Sequence, residues 1–368
     1  MGQGPLDGIR IIEIAGLGPT PFAAMTLADM GAEVVRIERA NARHIMGMEY
    51  DILNRGRGFL RLDLKDAADL ARARALIERA DGLIEGMRPG VMERLGLGPD
   101  SFATSNPRLV YGRMTGWGQS GPLAGAAGHD INYIALSGAL HAIGPAAHPV
   151  PPLNLLGDFG GGGMYLAYGM VCALFAAARS GRGQVVDAAI VDGTAHLMSM
   201  IYGMQQAGLW QDRRCANALD GGAHFYGVYA CKDGGFVAIG AIEPQFYAEL
   251  LEKAGVERAL FSEQMKAQDG PRLRAALAAA FLEKSRDEWC DIMEGSDVCF
   301  APVLTIAEAP QHPHNIARGI FERRDGITQP TPAPRLSRTP GAIRAASQTE
   351  PLAIDELLAQ WGQEKERT

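Results

Sequence analysis

Cysteine is scarce and unpatterned: the chain has five, at positions 172, 215, 231, 290 and 299, with no CxxC spacing. An odd, scattered set argues against a disulfide framework or a cysteine zinc site and fits a reducing compartment. A basic excess is missing as well. With a formal net charge of -7 the chain offers no overall cationic face for nucleic acid or an anionic membrane, so any phosphate it binds needs a local arginine pocket. No apolar run approaches the ~20 residues a membrane span requires. The opening MGQGPLDG has no signal-peptide pattern and the closing QEKERT is no peroxisomal address, so the expected setting is the cytoplasm. There is no stretch of low hydrophobicity and high charge either. A hydrophobic share of 47% and a charged share of 21% describe a chain that folds.

At 368 residues the chain exceeds the about 250 to 300 that one core fills, which predicts two domains. Apolar runs at 9–14 and 33–37 flank a helical stretch at 22–30, a β-α-β unit. Its first turn, Ala15-Gly16-Leu17-Gly18-Pro19, is not G-x-G-x-x-G, which disfavours a nicotinamide cofactor. The alternation continues with a helix at 67–80, strands at 82–85, 108–114 and 185–187, and helices at 164–179 and 193–209. From residue 227 a second, smaller α/β domain is expected, with strands near 228–231, 236–239 and 298–304 and helices at 245–254 and 273–284. Residues 328–340 are proline-rich and read as a linker before a last helix near 354–361.

Several residues could carry chemistry, and each has a plainer account beside it. His129, in GHDINY, sits at a helix start, where the positive end of the dipole disfavours an imidazolium and keeps a base neutral. A simple capping arrangement with Asp130 explains the same pattern. Asp158 precedes four glycines and a helix, so it is expected to cap that helix while the glycines admit a ligand to bare backbone at a helix start suited to an oxyanion. A turn and cap is the alternative. Glu243 stands before Pro244 at another helix start. Arg39, Arg55, Arg57, Lys65, Arg88 and Arg94 follow predicted strands of the first domain and suit an anionic ligand as a group, though each alone is an ordinary surface charge. His312-Pro313-His314 has no carboxylate or cysteine at ligand spacing and reads as a turn.

The segments 128–133, 152–162 (PLNLLGDFGGG), 183–192 (GQVVDAAIVD), 219–223 (LDGGA) and 240–247 (GAIEPQFY) resemble α-methylacyl-CoA racemases of the class III CoA-transferase (CaiB/BaiF-type) superfamily, over about residues 5–340. The resemblance implies an α/β fold, a large Rossmann-like domain plus a small α/β domain in an interlocked homodimer, with the active site shared between chains. The CoA-binding Rossmann-like part spans 1–190, a linker helix 191–224, the small domain 225–325, and a return linker with a C-terminal helix packing on the large domain 326–368. It implies a catalytic set of His129, Asp130, Asp158 and Glu243, the last from the partner's small domain. It also implies CoA contacts from Arg39, Leu62, Asp63, Leu64, Lys65, Arg88, Arg94, Gly128, Ile131, Asn132 and Tyr133. No metal and no cofactor apart from the CoA of the acyl-CoA substrate is implied, and neither nucleic acid nor membrane is an expected partner.

The chemistry implied is that of an isomerase of fatty-acid metabolism. A proton next to a thioester is weakly acidic, so inversion through an enolate needs one base on each face of the carbon. By resemblance His129 serves the S side and Asp158 the R side, with Asp130 and Glu243 orienting the imidazole. The competitor is a CoA-transferase in which Asp158 attacks the thioester to form an acyl anhydride. His129 separates the two readings, because a nucleophilic aspartate needs no base across the α-carbon.

Overall fold

The computed structural model describes residues 4–39, 51–261, 263–266, 269–344, 348 and 350–365. The chain divides into two units, the first being Met1–Ser137, Pro152–Met198 and Gly319–Thr368, the second Gly138–Pro151 and Ser199–Arg318.

The first unit is built on a six-stranded sheet: β1 (Arg10–Ile14), β2 (Glu33–Glu38), β3 (Gly58–Arg61), β4 (Gly82–Glu85), β5 (Val110–Thr115) and β6 (Val185–Ala189). All five pairings are parallel and the order is β3-β2-β1-β4-β5-β6. Its central strands read as near-continuous apolar runs because helices cover both faces. On one face Ile11, Val34, Ile84 and Val110 pack with Ala23 and Leu27 of helix Pro19–Asp29 and with Leu166 and Met170 of helix Met164–Ser180. On the other, Ile12, Ile14, Val35, Leu83 and Tyr111 meet Ala73 and Leu76 of helix Ala67–Ile77 and Leu357 and Trp361 of helix Ile354–Lys365. Trp361 is held by polar contacts too: its indole N–H donates to Glu33 Oε1 at 3.0 Å and its carbonyl accepts from Arg10 Nη1 at 3.2 Å.

Three local readings need correction. The stretch read as a linker from 328 begins as a strand, since Phe321–Arg324 and Ile327–Pro330 form an antiparallel hairpin. The helix read over 193–209 is two helices, Ile190–Leu197 and Ser199–Gln206. Among the described residues one helix, Leu155–Ser180, is long and apolar enough to cross a membrane by length and composition, with half of its most apolar window buried in the fold. The sequence hid it behind Asp158 and a run of glycines.

The second unit has an antiparallel sheet of β7 (Tyr226–Ala230), β8 (Phe236–Gly240) and β9 (Phe300–Val303) in that order. Tyr229, Val237 and Ile239 pack on Leu250, Leu277, Phe281 and Trp289 from helices Pro244–Lys253, Gly270–Phe281 and Arg286–Met293. A capping box starts the last of these, Ser285 N–H donating to Glu288 Oε2 at 2.7 Å and Glu288 N–H returning to Ser285 Oγ at 3.3 Å. His224 is buried in this core, its Nε2 2.6 Å from the Tyr247 hydroxyl. Burial lowers its pKa to about 4, with the nearby Arg274 charge adding to the effect.

Candidate active site

The first βα turn leads directly to Asp158. Gly18, at φ 62°, lies so close that a Cβ there would be 2.9 Å from Asp158 Oδ2. Only glycine takes that backbone conformation at no steric cost while leaving room for the carboxylate. The strand order reverses direction between β1 and β4, the crevice where open α/β sheets bind ligands at the carboxyl ends of their strands.

Asp158 is not the cap of a helix that follows the glycines. A π-helical segment already runs from Leu155 to Gly163 and continues into helix Met164–Ser180, which places Asp158 in its first turn. Nor are the glycines open to a ligand as the sequence suggested. Gly161, Gly162 and Gly163 are buried, and a Cβ on Gly161 would meet Thr194 Oγ1 at 2.4 Å. They let this segment lie against helix Ile190–Leu197 and helix Pro19–Asp29, and π-helical insertions of this kind recur at functional sites.

His129 is the residue before helix Asp130–Leu136, and its side chain is exposed. Asn132 closes the helix start, its Oδ1 accepting the His129 N–H at 3.0 Å. Asp130 faces inward. It is 8% exposed, and its Oδ1 accepts the backbone N–H of Asp158 at 2.6 Å. That N–H belongs to the first helical turn, where backbone donors lack intrahelical partners, so Asp130 ties together the starts of the two helices that carry His129 and Asp158. The hydrogen bond that the Asp130 carboxylate makes goes to the Asp158 backbone. Asp130 Oδ2 is buried without a hydrogen-bond partner.

The surroundings hold the Asp158 carboxyl above the usual carboxylate range. Burial is the main cause, the amide of Asn154, 3.3 Å from Oδ2, opposes it, the Asp130 charge reinforces it, and a charged His129 opposes it. Tyr133 packs edge-on against Trp117, with ring centroids 4.7 Å apart. Burial raises its phenol pKa, the Asp158 charge adds to this and Arg88 counters it, so both residues lie within electrostatic reach of the site.

Among the expected CoA contacts, Arg39, Asp63, Lys65, Arg88, Arg94, Ile131 and Asn132 are exposed, Leu64 and Gly128 are half-buried, and Leu62 and Tyr133 are buried. The Leu62 side chain is part of the core, leaving only its backbone for a ligand. Two other arginines are not phosphate ligands. Arg55 forks onto Asp29 at 2.6 and 3.1 Å and also donates to Gln329 and Pro330, while Arg57 is buried against Glu13 and Asn54. Glu243, in the second unit, precedes helix Pro244–Lys253, is exposed and makes no side-chain capping bond. Two contributors escaped the sequence reading. Asn154 sits four residues before Asp158, and Gly18 belongs to a turn set aside once it failed the dinucleotide pattern.

The sequence profile described as "CoA-transferase family III" matches residues 6–350. Alpha-methylacyl-CoA racemase of Mus musculus is 49% identical over 92% of this chain and 88% of its own length. That of Homo sapiens is 48% identical over 91% and 87%. The fold matches the crystal structure of a CAIB/BAIF family protein from Brucella suis with a TM-score of 0.82, covering 98% of this chain and all of that one at 22% identity.

Proposed function

From the premise that this chain belongs to CoA-transferase family III, we propose that it interconverts the (R) and (S) forms of 2-methylacyl-CoA thioesters by proton transfer at the α-carbon. The observation that carries this is the Asp158 carboxyl, held toward its protonated form and joined through Asp130 to the helix that begins at His129. A donor on one face and a base on the other are what inversion needs. His129 takes the α-proton from the S enantiomer while protonated Asp158 delivers one to the opposite face, and the reverse reaction exchanges the roles. The N-terminal turn at 155–157 offers backbone donors and a positive dipole end to the enolate oxygen. Arg39, Lys65, Arg88 and Arg94 hold the CoA phosphates, and no resident metal or other cofactor takes part.

The working form is a homodimer in the cytoplasm. Helix Met164–Ser180 presents Met164, Tyr168, Val171 and Phe175 to solvent at helical spacing, an apolar stripe that a second copy would cover, and all five cysteines are free, as a reducing compartment requires. Glu243 then serves the partner's His129. Heterodimers refolded from His129→Ala and Glu243→Ala chains should regain activity that neither parent has; none in verified heterodimers would contradict a shared site. For the reaction itself, a single enantiomer is incubated without any acceptor acid and followed by chiral chromatography. Loss of optical purity supports the reading. Transfer of CoA to an added carboxylate, with hydroxylamine trapping an acyl group on Asp158, would replace it by the transferase.

A further inference from the structure

Between the two helices that carry His129 and Asp158 the chain makes an excursion, and one arginine ties it down. Helix Asp130–Leu136 ends in the first unit, residues Gly138–Pro151 belong to the second, and the chain returns at Pro152, three residues before the π-helical segment begins at Leu155. Within the second unit, Arg214 commits its whole guanidinium to this excursion. Nε donates to the Pro145 carbonyl at 2.9 Å, Nη1 to that of His141 at 2.8 Å and Nη2 to that of Ala146 at 3.2 Å. His141 Nε2 lies 3.3 Å from Asp212 Oδ1, and the Val150 N–H donates to Ile143 O at 3.0 Å, closing the loop on itself.

The way out of the loop is stiff. Pro151 and Pro152 fix two φ angles, and Leu153 follows at φ 58°, in the left-handed region that disfavours an L-residue. Leu153 is 72% exposed, so packing of its side chain does not hold that conformation. The chain on either side must hold it, and Arg214 anchors the side away from Asp158.

We propose that Arg214 is a positioning residue for the acid–base pair: by clamping 138–151 it fixes where the Asp158 helix starts relative to the helix that begins at His129. Mobility and catalysis test this separately, and only the catalytic half rests on the racemase reading. Hydrogen exchange read by mass spectrometry on the full chain should show Arg214→Ala speeding exchange both in 139–147 and in 153–159, the segment holding the Asp158 and Phe159 amides. In the racemisation assay the same variant should lose kcat on the order of 10- to 100-fold, with KM within about twofold, because a small displacement of a proton-transfer group affects the transition state more than ground-state binding. Arg214→Lys should recover part of this, since a single ammonium cannot serve three carbonyls with a planar fork. Arg213→Ala, one position away, should behave as the parent. If the Ala variant is not recovered folded, Arg214→Gln, which keeps two donors, gives the same comparison. Faster exchange confined to 139–147, with 153–159 and kcat unchanged, would overturn the proposal. A parent protein that racemises nothing would remove the proposed function, while the exchange data would still decide whether the clamp reaches Asp158.

Discussion

The two units treat buried polar groups differently. In the second, His224 is enclosed by aromatic rings yet bonded to Tyr247, and the Tyr229 hydroxyl donates to its carbonyl. In the first, oxygens of Glu13 and Asp130 are buried without partners, and among the described residues every buried side-chain polar atom left that way belongs to this unit. An unsatisfied buried acceptor costs about 1–3 kcal/mol. Such costs persist where a function needs them, and the Asp130 oxygen lies beside the proposed acid–base pair. The second unit's buried histidine is satisfied within its core, whereas in the first unit a buried Asp130 oxygen is left unpaired beside the proposed acid–base pair.

The most severe way to test this contrast is to remove the paired groups. His129→Ala and Asp158→Ala should each abolish inversion, a loss in kcat of about 10²- to 10⁴-fold or more, with free-CoA affinity little changed. If either variant keeps racemising within tenfold of the parent, its residue is no base.

In the second unit the expected loss is of stability, and it depends on pH. The folded protein holds His224 near a pKa of about 4 against an ordinary 6.5, so its contribution is present above pH 6.5 and is lost as pH falls from there to about 4. The amount is roughly 3 kcal/mol. His224→Gln should flatten the fall in Tm over that window, and an unchanged pH profile would show that another group causes it.

Next is ligand binding at the rim. Arg39→Ala should weaken acyl-CoA binding by about 1.5 to 3 kcal/mol, read as a rise in KM and in the inhibition constant of free CoA. Unchanged constants would place the phosphates elsewhere.

The smallest effect is a gain. Because burial raises the Asp158 pKa, the native state disfavours the carboxylate, so its ionisation lowers stability as pH rises through the folded pKa. Asp158→Asn should therefore raise Tm at neutral pH, with the gain fading in acid. A fall in Tm at pH 7 would mean that the site stabilises the charge.

Much of this was legible in the sequence, and the exceptions share a cause. Apolar runs and helical spacing located most of the parallel strands, because a buried parallel strand declares itself residue by residue. The short strand Gly58–Arg61, with a glycine and an arginine in four residues, did not. Asp130 and Asp158 were picked out, but the bond between them spans 28 positions, and nothing local distinguishes an aspartate that binds a remote N–H from one that caps its own helix. The same holds for Arg55 and Arg57, which look like phosphate ligands until Asp29 and Glu13 are brought to them. The glycines at 160–163 read as opening bare backbone to a ligand, although three of them are demanded by close packing.

Solvent isotope tests the two-base claim most directly, since inversion by paired bases must give the product a proton from a group that exchanges with water. In deuterated water, with either pure enantiomer of a 2-methylacyl-CoA and no acceptor acid, the parent protein should place deuterium at the α-carbon as optical purity is lost. Retained optical purity with no α-deuterium would contradict the account.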